Sequence, residues 1–153
     1  MEIKIIDGNL LDSDADLILH QVNCQGKMNS GIARAIREKW PKVFEKYSEF
    51  CSTDYEKLGR CLPVKVSDKQ WVINMFSQEN YGYDGKLYTS YDAVNQCLSN
   101  LKSYMFVNGF KRLALPYKMC CCRGGANWGV IMALIKANFE KTDISIDIYK
   151  LDS

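Results

Sequence analysis

Apolar positions along this chain change period several times, and each change marks an element. Glu2 to Ile6 alternates and predicts a strand. Asp16 to Val22 is an apolar run of strand length, the pattern of a strand covered on both faces. From Ser30 the period lengthens: Ile32, Ala33, Ile36 and Trp40 recur at helical spacing until Pro41 interrupts. Val43, Phe44, Tyr47 and Phe50 then form a second helical stripe. Cys61–Val66 and Gln70–Phe76 read as strands joined by a Ser67-Asp68-Lys69 turn. Tyr91, Val94, Leu98, Leu101 and Met105 predict a long helix, with Thr89 and Asp92 as a capping box and Asn108-Gly109 as its stop. Arg112–Leu115 is a strand, Asn127–Glu140 a helix, and Ile144, Ile146 and Ile148 alternate through a last strand.

This order, with helices between strands and β–α–β units late in the chain, predicts a three-layer α/β/α sandwich on a mixed, largely parallel sheet. Residues 1–153 read as a single domain, with no repeat, low-complexity segment or linker. In such sheets ligands bind beyond the carboxyl ends of the strands. Two loops, 23–31 and 117–127, each follow a strand and precede a helix, so both are expected on that rim.

Composition narrows the classes. At 47% hydrophobic and 25% charged the chain is ordinary for a globular protein. Its formal net charge of +2 is too small to argue by itself for a nucleic-acid or membrane partner. No apolar run approaches the roughly 20 residues of a bilayer span. A strand begins at once after Met1 with no signal peptide before it, so a cytoplasmic protein is expected, and separately a monomer. The seven cysteines are odd in number and three are consecutive, Cys120, Cys121 and Cys122. Reduced thiols fit this better than a disulfide framework, and no metal site is expected, because adjacent residues do not readily supply three ligands to one tetrahedral ion.

The loops carry the candidate chemistry. A strand that runs through a glycine-bearing loop into a helix can turn several N–H groups to one point, where the helix start adds about half a positive charge. Each loop is therefore a candidate phosphate cradle, and the pair suggests a ligand with two phosphates. In the first, Gly26 and Gly31 bracket a turn, Asn23 offers a carboxamide to a sugar hydroxyl, and a helix starts near Ser30. In the second, Gly124 and Gly125 permit close backbone approach and Asn127 can cap the helix. Each loop taken alone is equally a tight strand-to-helix connection. His20 reads as a core histidine and Trp128 as packing at a helix start. The tyrosines of 80–88 could stack on a base or simply decorate a polar loop.

The segments His20-Gln-Val-Asn-Cys-Gln-Gly-Lys-Met-Asn-Ser-Gly-Ile-Ala33 and Leu115-Pro-Tyr-Lys-Met-Cys-Cys-Cys-Arg-Gly-Gly-Ala-Asn-Trp128 resemble the two ligand loops of macrodomains. Tyr88–Ala93 and Ile146–Leu151 resemble that family's penultimate helix start and closing strand. The likeness runs nearly end to end, and is strongest to the branch holding the terminal ADP-ribose protein glycohydrolase and short phage and bacterial proteins. It implies an ADP-ribose ligand with no required cofactor. Asn9, between Gly8 and Leu10, stands where the family usually has an aspartate for adenine, and Leu151, with Tyr149, would line that base. Ser30, Gly31, Ile32 and Ala33 would hold one phosphate. Pro116 and Met119 through Gly125, including Cys120, Cys121, Cys122, Arg123 and Gly124, with Asn127, would wrap the other phosphate and the distal ribose. Asn23 would face that ribose and orient an attacking water.

Departures from the family pattern bear on the reaction. Cys120-Cys121-Cys122 replaces a frequent Gly-Cys-Gly, and Asn29 replaces another frequent glycine. Ser77 or Gln78 stands where the glycohydrolase has its lysine, and no carboxylate lies between Pro116 and Trp128 in place of its aspartate. A lysine-adduct mechanism is therefore not expected. The expected activities are hydrolysis of a small ADP-ribose derivative (O-acetyl-ADP-ribose, ADP-ribose phosphate) or of an ADP-ribosylated macromolecule. The alternatives are a non-catalytic reader or sponge of such nucleotides and, trailing, a redox or metal protein built on the cysteine triplet.

Overall fold

The computed structural model describes residues 1–151. Six strands form one sheet: β1 (Glu2–Asp7), β2 (Leu17–Asn23), β3 (Cys61–Ser67), β4 (Gln70–Gln78), β5 (Arg112–Pro116) and β6 (Ser145–Lys150), in the spatial order β1-β6-β5-β2-β4-β3. Only β3 runs antiparallel to its neighbour, because it reaches β4 through a tight turn; the other pairings are parallel. Helices α1 (Gly31–Lys39) and α2 (Pro41–Cys51) cover one face, while α3 (Tyr91–Asn108) and α4 (Trp128–Phe139) cover the other. The expected three-layer sandwich is the observed one.

Alternation in the central strands divides the core. Leu17, Leu19, Ile73, Met75, Leu113 and Leu115 pack toward α3 and α4, against Val94, Leu98, Ile131 and Ile135. Ile18, Val22, Val72, Phe76 and Ala114 pack toward α1 and α2, against Ile36, Val43 and Tyr47. Each of these side chains is 4% exposed or less, and burying one of the larger aliphatic or Phe side chains contributes roughly 1.5–3 kcal/mol. By contrast β1 is an edge, and its Ile5 is 60% exposed.

Helix ends follow local chemistry. Pro41 sits at the first position of α2, where its missing N–H costs nothing, so it starts that helix as it ends α1. Gly109 closes α3 in the left-handed conformation, φ 71°. The α3 cap is Ser90, whose hydroxyl accepts from the Ala93 N–H, rather than the expected Thr89. Thr89 is diverted into a buried hydrogen bond, its hydroxyl donating to the Cys120 carbonyl. Asn127 caps α4 as expected, accepting from Val130 N–H.

The pairing of β2 with β5 lasts only two residues, Leu17 with Leu113 and Ile18 with Ala114. Beyond them the strands part. This is also where the chain changes direction across the sheet, since β4 and β5 flank β2 while their connecting helix α3 crosses over it. A crevice at such a switch point is where open α/β sheets take ligands.

Candidate functional site

A cleft of about 270 Å³ opens at that parting, walled by both loops. Its floor comes from β2 (His20, Gln21, Val22, Asn23), from Pro116 at the end of β5 and from Gln78 at the end of β4. One side is the start of α1, Ser30 to Ala33; the other is Met119, Cys120, Cys122 and Arg123. Tyr81, Gly82 and Tyr83 close the β4 end. A wider and more open groove of about 450 Å³ lies between α2 and β3, but no strand-to-helix loop faces it.

The start of α1 is built to receive an anion. Ser30 occupies the cap position with extended backbone, yet its hydroxyl caps no N–H, and the first turn holds no acidic residue. The first N–H groups of a helix have no partner within it, so those at Gly31 to Ala33 are left to whatever enters. Lys27, Lys118 and Arg123 also line the cleft, and among the described residues no carboxylate does. Among the described residues none of the three makes a salt bridge; Arg123 lies over the Tyr83 ring at 4.4 Å and Lys118 over Tyr117 at 5.7 Å.

The first loop is held by its own side chains. Asn23 is 9% exposed, and its Oδ1 accepts from the Gln25 N–H (2.9 Å) and lies 2.8 Å from the Tyr47 hydroxyl, while its Nδ2 donates to the Lys27 carbonyl (3.0 Å). Tyr47 in turn accepts from the Lys27 N–H. Burial pushes the Tyr47 hydroxyl far above its usual pKa, so it stays a donor. What Asn23 keeps for a ligand is one Nδ2 hydrogen, enough to donate to a sugar hydroxyl. Its oxygen is taken, which weakens its standing as the group that orients water.

The second loop is held by backbone. Met119 N–H bonds to Pro116, Cys121 N–H to Lys118 and Ala126 N–H to Cys120. Lys118 and Cys120 are left-handed, φ 59° and 72°. Cys120 therefore does occupy a backbone state that a glycine would take freely, at a cost of roughly 1–2 kcal/mol. Beneath it Gln21 Nε2 donates to Ser77 Oγ and Thr89 Oγ1, both at 2.9 Å, tying β2, β4 and the 79–90 segment to this loop. Burial pushes the Cys120 and Cys121 thiols up, so neither is a ready thiolate.

Several predicted site residues have structural tasks instead. Gly124 and Gly125 face the 86–89 segment, not the cleft: a Cβ on Gly124 would strike Thr89 and the Cys120 carbonyl, and one on Gly125 the Lys86 carbonyl. Tyr88 and Thr89 donate their N–H groups to the Gly124 carbonyl. The glycine pair thus packs two loops together. Asn127 is spent on its cap, and Cys121 and Leu151 are not in the cleft wall. Gly8, Asn9 and Leu10 do not line the cleft; they follow β1, where Gly8 N–H bonds to the Lys150 carbonyl and Asn9 Oδ1 accepts from Leu11 N–H. Leu10 is buried. Asn23, Ser30, Gly31, Ile32, Ala33, Pro116, Met119, Cys120, Cys122 and Arg123 do converge. Sequence reasoning left out Gln21, Lys27 and Lys118, and gave Gln78 no contact with the ligand; the positions of Gln21 and Gln78 at the ends of apolar strands were the available signal. Trp128 packs edge-on against Tyr117, 5.4 Å between centroids.

A mixed sheet with a phosphate-ready crevice between two strand-to-helix loops defines a nucleotide-binding α/β/α domain. The Macro domain model matches residues 19–130, and the chain belongs to that family. It is 26% identical over 146 residues to the DNA ADP-ribosyl glycohydrolase of Mycobacterium tuberculosis, covering 93% of this chain and 40% of that protein. To ADP-ribose glycohydrolase OARD1 of Bos taurus it is 24% identical over 150 residues, covering 97% and 91%. A structure from Bacteroides thetaiotaomicron described only as a protein of unknown function superposes with a TM-score of 0.88 at 27% identity, covering 98% of each chain. The macrodomain of Mycobacterium tuberculosis DarG superposes at 0.83 with 21% identity, covering 96% of each.

Proposed function

We propose that this macrodomain binds ADP-ribose or a close derivative in the β2–β5 crevice and hydrolyses a small ester or phosphate of it. The observation that carries the reading is the uncapped start of α1 in a cleft also lined by Lys27, Lys118 and Arg123 and, among the described residues, by no carboxylate. The diphosphate sits between Ser30–Ala33 and Met119–Arg123. The adenosine runs toward Gly8, Asn9, Leu10 and Leu151 at the β1–β6 end, and the distal ribose toward Asn23 and β4. Relatives carrying the names ADP-ribose glycohydrolase and ADP-ribose 1''-phosphate phosphatase favour this ligand class. The latter match, from Lodderomyces elongisporus, is 30% identical over 88 residues and covers 52% of this chain.

Hydrolysis of an activated ester or phosphate needs a positioned water and a well-held leaving group more than a strong base. A covalent route is disfavoured here, since Gln78 stands at the end of β4 and no acid among the described residues lines the cleft. That absence favours one second reading, a binder that sequesters the nucleotide without turnover. Calorimetry with ADP-ribose, ADP and AMP tests the ligand: ADP-ribose should bind most tightly, and equal affinity for ADP and ADP-ribose would remove the distal-ribose pocket. Turnover of O-acetyl-ADP-ribose then separates hydrolase from binder, and mass spectrometry after incubation should show no lysine adduct.

A further inference from the structure

The second loop carries two of the cleft's cations, Lys118 and Arg123, and their side chains settle on rings at opposite ends of it. Lys118 Nζ lies 5.7 Å from the centre of the Tyr117 ring, and Lys150 Nζ, from the end of β6, lies 5.1 Å from the same centre. That corner belongs to the β6 side. Arg123 turns the other way. Its guanidinium sits over the Tyr83 ring at 4.4 Å, and Tyr81 to Tyr83 close the β4 end of the cleft. Contact with a ring holds the cation in place without consuming its N–H donors, of which a guanidinium has five.

The surroundings keep Arg123 available. Among the described residues it makes no salt bridge. Asp84, next in the chain to Tyr83, is engaged instead by the Tyr88 hydroxyl at 2.8 Å and by Lys86 Nζ at 3.6 Å. Tyr81 braces Tyr83 edge-on, with 6.4 Å between centroids, and both rings are exposed. Their visible task is to seat a cation at the mouth of the cleft.

The β4 end is where the distal ribose is placed above, together with any group esterified to it. An acyl group there brings no charge. A phosphoryl group brings about −1.5 to −2 at neutral pH, and oxygens that a guanidinium can grip in pairs. The diphosphate bridge already has the start of α1 and the backbone of the second loop, so a cation seated at the far end is surplus to it. We propose that Arg123, positioned by Tyr83, selects a phosphoryl group on the distal ribose, making a phosphate monoester of ADP-ribose the preferred ligand over an acyl ester. Arg123 is the specificity residue and Tyr83 a positioning residue. This rests on the ADP-ribose reading above and chooses among the derivatives it allows.

The test measures dissociation constants of ADP, ADP-ribose and ADP-ribose 1''-phosphate by calorimetry for wild type, Arg123→Gln, Tyr83→Leu and Tyr83→Phe. Released inorganic phosphate is assayed in each sample. Where it appears, kcat/KM for its release against that for acetate release from O-acetyl-ADP-ribose gives the same comparison. Wild type should hold the monoester about tenfold more tightly than ADP-ribose. Arg123→Gln should bring that ratio close to one, whatever it does to ADP-ribose itself. Tyr83→Leu should lower the ratio, and Tyr83→Phe, which keeps the ring face, should restore it. Rising salt should shrink the wild-type preference, because the cation is exposed and screened. Melting curves should coincide, since both side chains lie on the surface.

A wild-type ratio near one, or a ratio unchanged in Arg123→Gln, overturns the proposal. The ADP-ribose reading survives that result provided ADP-ribose still binds more tightly than ADP. If wild type holds ADP as well as ADP-ribose, both fall together. A preference lost equally in Tyr83→Leu and Tyr83→Phe overturns the positioning role.

Discussion

The two loops that wall the cleft look alike in sequence and are built on different physics. The first, 23–31, is organised by side chains: Asn23 and Tyr47 between them engage the N–H groups of Gln25 and Lys27 and the Lys27 carbonyl. The second, 117–127, is organised by backbone: left-handed turns at Lys118 and Cys120, internal N–H bonds, and glycines pressed against the 86–89 segment. Side-chain scaffolding fails by leaving buried polar groups unpaired, whereas backbone scaffolding fails by steric collision. The first is graded and the second is not, so substitutions in the two loops should differ in severity.

The largest effect is expected at Gly125. It is left-handed, φ 69°, with the Lys86 carbonyl where a Cβ would go, so Gly125→Val combines backbone strain with a main-chain clash. A loss of at least ~3 kcal/mol is expected, measured by denaturant unfolding. A variant as stable as wild type would show that the 86–89 segment yields freely. Because the clash is with the protein, lost ligand binding in this variant says nothing of ligand contact.

Acid should act next, through the strand beneath the first loop. Burial lowers the His20 pKa from 6.5 to about 4. The unfolded chain then binds a proton across that window while the folded protein does not, so stability rises with pH through it. On acidification from pH 6.5 to pH 4 about 3 kcal/mol should be lost. His20→Gln should flatten this dependence in melting curves taken across the window. An unchanged slope would place the acid sensitivity elsewhere.

In the first loop, Tyr47→Phe should cost about 1–3 kcal/mol, since Lys27 N–H and Asn23 lose a buried partner. It should also weaken ADP-ribose binding, because the loop feeds the start of α1. Loss of affinity without loss of stability would mean that Tyr47 touches the ligand. The smallest effect belongs to the second loop. Cys120→Gly relieves about 1 kcal/mol of left-handed strain and gives up a buried thiol of similar worth, so urea unfolding should shift by less than about 1 kcal/mol. A larger destabilisation would show that the thiol's packing outweighs the strain it imposes.

Much of this architecture is written locally in the chain. The apolar runs of β2 and β5, the 3–4 spacing of Val94, Leu98, Leu101 and Met105, the Pro41 start and the Gly109 stop each follow from period and backbone preference. Those forces act within a few residues, so a reading of neighbours finds them. The same holds for the two strand–loop–helix junctions, which is why both candidate ligand loops are legible. What the tertiary structure decided is long-range. Thr89 and Ser90 are equally good caps in sequence, and Thr89 is drawn off by the Cys120 carbonyl, 31 residues away. Gly124 and Gly125 read as room for a ligand, and the folded chain fills that room with residues 86–89. Gln78 reads as the end of an apolar strand, and only the placement of β4 beside Asn23 brings the residue to the cleft wall with its side-chain N–H buried and, among the described residues, unpaired. Sequence period sets which side chains share a face, because it needs only local backbone geometry; which polar group ends without a partner depends on every neighbour the fold supplies.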